Sequence, residues 1–216
     1  MKSIAILVAS LLLSFGSFAQ VADPVIGKVL GKPIRGSEIK AAEGQERASE
    51  LRAKIIMPAV RDYLEPHKDE VSLTESEARA ITDSYNALVE CKPELGLTEM
   101  KPPFDKIFAE MIGGSAKAQR FIYLNNGRGR LLFQQAGMEA FDAMRNLVLK
   151  LEQQGAFEFH NQADRELALG YWTTQDHSSF LQPDSGSEEA FSLDTLMPAS
   201  NSCDEQVESR DDFDSF

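Results

Sequence analysis

The chain has 216 residues, 43% of them hydrophobic, with two cysteines, three histidines and a formal net charge of −12. That length and apolar content suit one ordinary domain plus a tail. The acidic balance argues against nucleic-acid binding, which needs clustered Lys and Arg to displace counterions from phosphates. The excess is also uneven: residues 182–216 hold ten acidic groups against Arg210 alone, a net of −9.

Residues 1–19 read as a cleaved secretory signal. Lys2 supplies a positive end, Ile4 to Leu13 is an apolar run too short to span a bilayer, and Ser17-Phe18-Ala19 precedes the cut at Gln20. This predicts a periplasmic or secreted protein without stable membrane insertion after cleavage. In that oxidising setting Cys91 and Cys203 are a candidate disulfide, the alternatives being free thiols or pairing between molecules. Their spacing excludes a CxxC redox pair and a zinc knuckle.

Val25 to Leu30 is short and β-branched and is interrupted by Gly31-Lys32-Pro33, which predicts a brief strand or extended arm and a turn. Ser37 is a candidate cap for a helix running on through Ile39, Leu51, Ile55 and Ile56, weakest at Gly44. Pro58 should kink or restart it. Thr74 with Glu77 three residues on forms a capping box, and Ala78, Ile81, Tyr85 and Leu88 follow at helical spacing. Pro102-Pro103 opens a helix carrying Phe104, Ile107, Phe108 and Met111, which Gly113-Gly114 should stop and Ser115 should cap anew. After Asn126-Gly127, the stripe Phe141, Met144, Val148 and Leu151 predicts a long helix closed by a left-handed Gly155. Phe157 and Phe159 alternate, and Asn161 caps a last helix through Trp172. The expectation is a mainly α, compact helical domain of about five to six helices over residues 20–181, with a short N-terminal strand or extended arm. Residues 182–216 are expected to be a disordered acidic tail.

Two pieces of the first half resemble a known family. Ile26-Gly27-Lys28-Val29-Leu30-Gly31-Lys32-Pro33-Ile34 is similar to the Val-x-Gly-x-Pro-Ile opening of the periplasmic SurA- and PrsA-type foldases, which there precedes the first helix of the chaperone domain. Val71-Ser72-Leu73-Thr74-Glu75-Ser76-Glu77-Ala78 resembles the start of a later helix of that domain. The likeness covers residues 25–90, without a parvulin isomerase module downstream. It implies a helical scaffold that holds extended polypeptide in an apolar groove, and not prolyl-isomerase catalysis.

Ser37 and Lys40 have the spacing of a serine acylase, but the companion Lys-Thr-Gly element is missing and helix capping is the simpler role. Glu158, His160, Asp176 and His177 are a carboxylate–histidine collection whose spacing matches no zinc motif. Arg120, Arg128 and Arg130 surround the Asn125-Asn126-Gly127 turn, where forked guanidinium groups suit a carboxylate or phosphate; pairing with neighbouring acids is the alternative. Phe104, Phe108, Phe121, Phe133, Phe141 and Trp172 are candidates to line an apolar groove, or else the core. No complete catalytic constellation and no cofactor motif is present. The expected function is therefore a non-catalytic, chaperone-like or partner-binding protein whose partner is a polypeptide client or another envelope protein. The alternative is a small-ligand-binding protein or enzyme using the Arg128/Arg130 turn and the His160/His177 region.

Overall fold

A computed structural model describes residues 23–134, 137–173, 180–181 and 188–192. The signal expected at 1–19, Asp176, His177, Cys203 and most of the acidic tail lie outside the described residues. The protein is mainly helical, and it also contains two small antiparallel sheets.

The first sheet is built at the N-terminus. Strands β1 (Val25–Val29) and β2 (Lys32–Arg35) form a hairpin whose two turn residues, Leu30 and Gly31, both have positive φ. That geometry matches the right-handed twist of the flanking strands. On its other side β1 pairs with β5 (Phe157–Phe159), so Gly27 faces Phe159 and Lys28 faces Glu158. Lys28 and Glu158 make a cross-strand ion pair at 2.6 Å.

Ser37 does not open a long helix. Its backbone N–H and hydroxyl both donate to the Asp23 carboxylate, and residues Gly36–Glu38 form a single 3-10 turn. The helix starts at Gly44, which has positive φ, so the weak point foreseen there is a true break. From Gly44 helical backbone runs to Leu64 as α1 (Gly44–Leu51), a π turn (Arg52–Ile56) and α2 (Met57–Leu64). Pro58 neither ends nor restarts this run. A proline has no N–H to give and crowds the carbonyl four residues back. The wide turn just before it, closed by Met57 N–H donating to the Arg52 carbonyl, takes up that mismatch.

A second correction concerns Gly113-Gly114. They do not stop the helix: α5 (Phe104–Ala109), a π turn (Glu110–Gly114) and α6 (Ser115–Asn125) are continuous, with Gly114 and Ser115 both right-handed. Gly113 is buried, and a Cβ there would come within 2.4 Å of Ile81 Cδ1 and 2.8 Å of a Leu73 methyl. It is glycine because another helix passes close by.

The short helix α3 (Lys68–Val71) leads into α4 (Glu75–Cys91), which begins with the capping box foreseen: Glu77 N–H donates to Thr74 Oγ1 and Thr74 N–H to Glu77 Oε2. A second hairpin, β3 (Leu131–Gln134) and β4 (Gly137–Glu139), is joined by β6 (Phe180–Leu181). Its place in the sequence gave no sustained alternation. Helix α7 (Phe141–Gln153) closes on a left-handed Gly155, and α8 (Gln162–Thr173) is capped by Asn161 Oδ1, which accepts from Asp164 N–H.

The core gathers Leu51, Ile55, Ile56 and Val60 against Ile122, Leu131, Phe141, Leu147, Val148, Phe157 and Leu169. It also takes in Ala190 and Phe191 from a 3-10 turn at Glu188–Phe191. This part of the stretch expected to be disordered is packed, because Phe191 stacks at 5.4 Å on Tyr123 of α6.

Candidate functional site

Helices α4 and α5 form an antiparallel arm outside the main core. Asn86 bonds both backbone groups of Met100, Tyr85 packs on Phe108 at 4.8 Å, and Lys117 pairs with Glu77 at 2.9 Å. The arm and the start of α6 share a small interior, with Ile81, Ala109 and Ala116 buried but absent from the main cluster. Its outer side is different. Phe104, Ile107 and Met111 are 67%, 61% and 59% exposed, and Leu95 and Leu97 in the loop before α5 are exposed too. The i, i+3, i+7 spacing sets the first three on one face of the helix.

Between α4 and α5 lies an open groove of about 560 Å³. Its walls are mixed, Leu73 and Ala78 lying among Thr82, Arg79, Asp83 and Glu110. Arg79 is already paired with Glu75 at 3.1 Å. Phe104, Ile107 and Met111 are not among the residues lining this groove and form a separate ridge on the helix.

The aromatic candidates separate into two sets. Phe121, Phe141 and Trp172 are buried, Phe108 is half-buried between the helices of the arm, and Phe104 and Phe133 point to solvent. The six do not line one cavity. Helical spacing alone could not tell the inward Phe121 from the outward Phe104, because the π turn between them shifts the phase of the helix by one residue.

The arginine candidates are mostly engaged. Arg120 pairs with Glu188. Arg130 donates to both Asp142 oxygens at 3.0 Å and lies over the Phe141 ring at 5.5 Å. Arg128 is exposed, with φ +54 between two positive-φ glycines, Gly127 and Gly129. His160 follows β5 at the edge of the first sheet, its ring nitrogens against the Val25 carbonyl and Glu158. Arg128 and Arg130 thus lie just before β3 of the second sheet, whereas His160 lies against the first. Among the described residues, no group of three or more His, Cys, Asp or Glu is placed to hold a metal ion.

One cluster went unread in the sequence. Glu139 accepts from Tyr171 Oη at 2.6 Å and Trp172 Nε1 at 2.9 Å, and the Arg52 guanidinium lies 5.3 Å from the Tyr171 ring centre. Burial lowers the pKa of Arg52, and electrostatic interaction with Tyr171 and Glu139 partly restores it. The cluster ties the first π turn to β4 and α8. Arg52 and Tyr171 lie 119 positions apart, beyond any local pattern.

Asp142 carries a pH consequence. Burial raises its pKa, but hydrogen bonds from the Arg130 side chain and backbone, with the charges of Arg130 and Arg145, outweigh this and hold it below the ordinary carboxylate value. Glu77 is lowered in the same way, burial being outweighed by its bonds to Thr74 and Lys117. A carboxyl whose folded pKa is depressed contributes stability that is complete above its unfolded pKa of about 4 and is lost as pH falls through the lower folded value. Thermal unfolding between pH 7 and pH 2 should show this acid limb, and Asp142→Asn should flatten part of it. An unchanged limb in Asp142→Asn would remove Asp142 as its source.

Cys91 ends α4, is exposed, and is disulfide-bonded. Alkylation of the denatured, unreduced protein should accordingly find no free thiol, and recovery of two would contradict it.

Among the described residues no helix is long and apolar enough to cross a membrane. Comparison with family models, with curated proteins and with solved structures returns no match.

Proposed function

We propose that this is a secreted, non-catalytic binding protein that holds polypeptide, a client or another envelope protein, on the apolar outer face of its helical arm. One observation carries the reading. Of the seven large hydrophobic side chains exposed among the described residues, five fall between Leu95 and Met111. Scattered exposed apolar residues need no explanation, but a set concentrated in one short stretch of chain marks an interaction surface. Phe104, Ile107 and Met111 have the spacing with which a helix presents its anchors to a partner. The foldase-like segments at 25–34 and 71–78 support the same reading, since the second of them opens α4, one half of the arm.

The alternative, a small-ligand site at the Arg128/Arg130 turn and the His160/His177 region, has less support, because Arg130 is taken by Asp142 and Arg120 by Glu188. Suppression of aggregation of several unfolded clients at stoichiometric excess tests the main reading. Phe104→Glu with Ile107→Glu should weaken suppression at least fivefold. The thermal midpoint should barely move, since both side chains face solvent. No suppression of any client, together with no partner recovered by cross-linking, overturns the reading.

A further inference from the structure

We propose that the polypeptide held on the arm is a basic amphipathic segment, with its apolar side chains on the ridge of Phe104, Ile107 and Met111 and its Lys or Arg side chains in the groove between α4 and α5. The inference rests on the reading of the arm as a docking surface and names the chemical class of its client.

Three observations converge on it. The first is that ridge and groove adjoin on one helix. Residues three or four positions apart are neighbours on a helix surface. Lys106 and Glu110 line the groove, and Glu110 stands three positions from Ile107 of the ridge. A segment seated on the ridge thus has one flank at the rim of the groove. Lys and Arg suit that flank, because their apolar stems cover hydrophobic surface while their charged heads reach beyond it.

The second is the charge of the groove. Four acids line it, Glu75, Asp83, Asp105 and Glu110, against two bases, Arg79 and Lys106. The ion pairs of the arm are Arg79–Glu75, Lys101–Glu99 and Lys117–Glu77, which leaves Asp83 and Glu110 without a basic partner among the described residues. Both are exposed. The bias runs along the whole arm: Glu75 to Met111 holds eight acids against four bases, and the exposed Leu95 and Leu97 stand between Glu94 and Glu99. Surfaces of complementary charge attract and select one another, whereas like charges brought together are costly.

The third is what the charge turns away. A second copy of the chain would bring together two arms of one sign, each in a chain of net charge −12, and a large net charge opposes self-association. An anionic lipid surface attracts basic segments and repels acidic ones. Of these three occupants, a basic polypeptide satisfies both the ridge and the groove.

The test uses the full oxidised chain and three peptides of one length. They share apolar residues at i, i+3 and i+7 and differ only in carrying Lys, Gln or Glu at the remaining positions. Fluorescence anisotropy should show the Lys peptide binding about tenfold tighter than the Gln peptide, with the Glu peptide weakest. Sodium chloride at about 0.5 M should bring the Lys and Gln peptides together, since it screens exposed charges within about 4 Å. Asp83→Asn with Glu110→Gln, both at exposed positions, should remove most of the Lys advantage and leave the affinity of the Gln peptide unchanged. Phe104→Ser with Ile107→Ser, which alters no charge, should weaken all three. Equal affinity for the Lys and Gln peptides overturns the proposal, as does a Lys advantage that Asp83→Asn with Glu110→Gln leaves intact. Self-association through the ridge, or binding to phosphatidylglycerol vesicles in place of the peptides, overturns it as well. The two readings fail separately. Equal binding of all three peptides that is lost in Phe104→Ser with Ile107→Ser removes only the preference for basic clients, and no binding of any peptide or unfolded client removes the docking surface itself.

Discussion

Gly27→Ala is expected to destabilise the protein by about 3 kcal/mol, through steric overlap in the first sheet. The Cβ it adds would lie 2.5 Å from the Glu158 carbonyl oxygen and 3.0 Å from Ile55 Cδ1. The first obstacle is backbone in the paired strand, so no side chain can swing aside to make room. The second belongs to one of the most buried residues of the core. Relief requires β1 and β5 to separate, which breaks the pairing that ties the N-terminal hairpin to the strand before α8. For a chain of this length about 3 kcal/mol lowers the thermal midpoint by roughly 6–12 °C. Gly31→Ala is the control. Nothing lies within 4 Å of a Cβ there, but φ is +76, so its cost is conformational alone, about 1 kcal/mol. Equal midpoints for the two variants would show that the close approach at Gly27 does not limit the fold.

What could be read in the sequence was what four or five neighbouring residues settle among themselves. The Thr74–Glu77 box, the left-handed Gly155 and the Asn161 cap all satisfy backbone groups locally. They formed as foreseen. The π turns were illegible because they answer demands from elsewhere: the missing amide of Pro58 in one case, the passage of α4 against Gly113 in the other. A stop signal and a packing notch are both written as glycine, and only the neighbour distinguishes them. The same limit holds for the site. Spacing placed Phe104, Ile107, Phe108 and Met111 on one helix, and whether that face turns inward was decided by how α5 meets α4. Phe191 was read as part of a solvated tail because Tyr123, its partner, is 68 residues away.

The second large effect falls on Arg47 and Asp164, 117 positions apart, which join α1 to α8. Asp164 accepts from Arg47 Nε at 2.8 Å, Arg47 Nη2 at 2.9 Å and Asn161 Nδ2 at 2.9 Å, with its side chain 6% exposed. Arg47 also donates to the Ala41 carbonyl at 3.2 Å. Asp164→Ala leaves a largely buried guanidinium without its carboxylate, and losing one partner of such a pair costs about 3–5 kcal/mol. Arg47 retains some contact with water, which places the expected value near 3 kcal/mol. Replacing both, Arg47→Met with Asp164→Leu, removes the desolvation cost together with the attraction and should cost less than either single change. A double-mutant cycle on chemical unfolding measures this, and additive single costs would refute the coupling. Neither residue touches α4 or α5 through any of these bonds, so the folded fraction of each variant should hold clients as the unaltered protein does. Loss of client binding beyond the loss of folded protein would mean that the arm depends on the α1–α8 joint. A fivefold loss in Phe104→Glu with Ile107→Glu at unchanged stability would place recognition on the ridge itself.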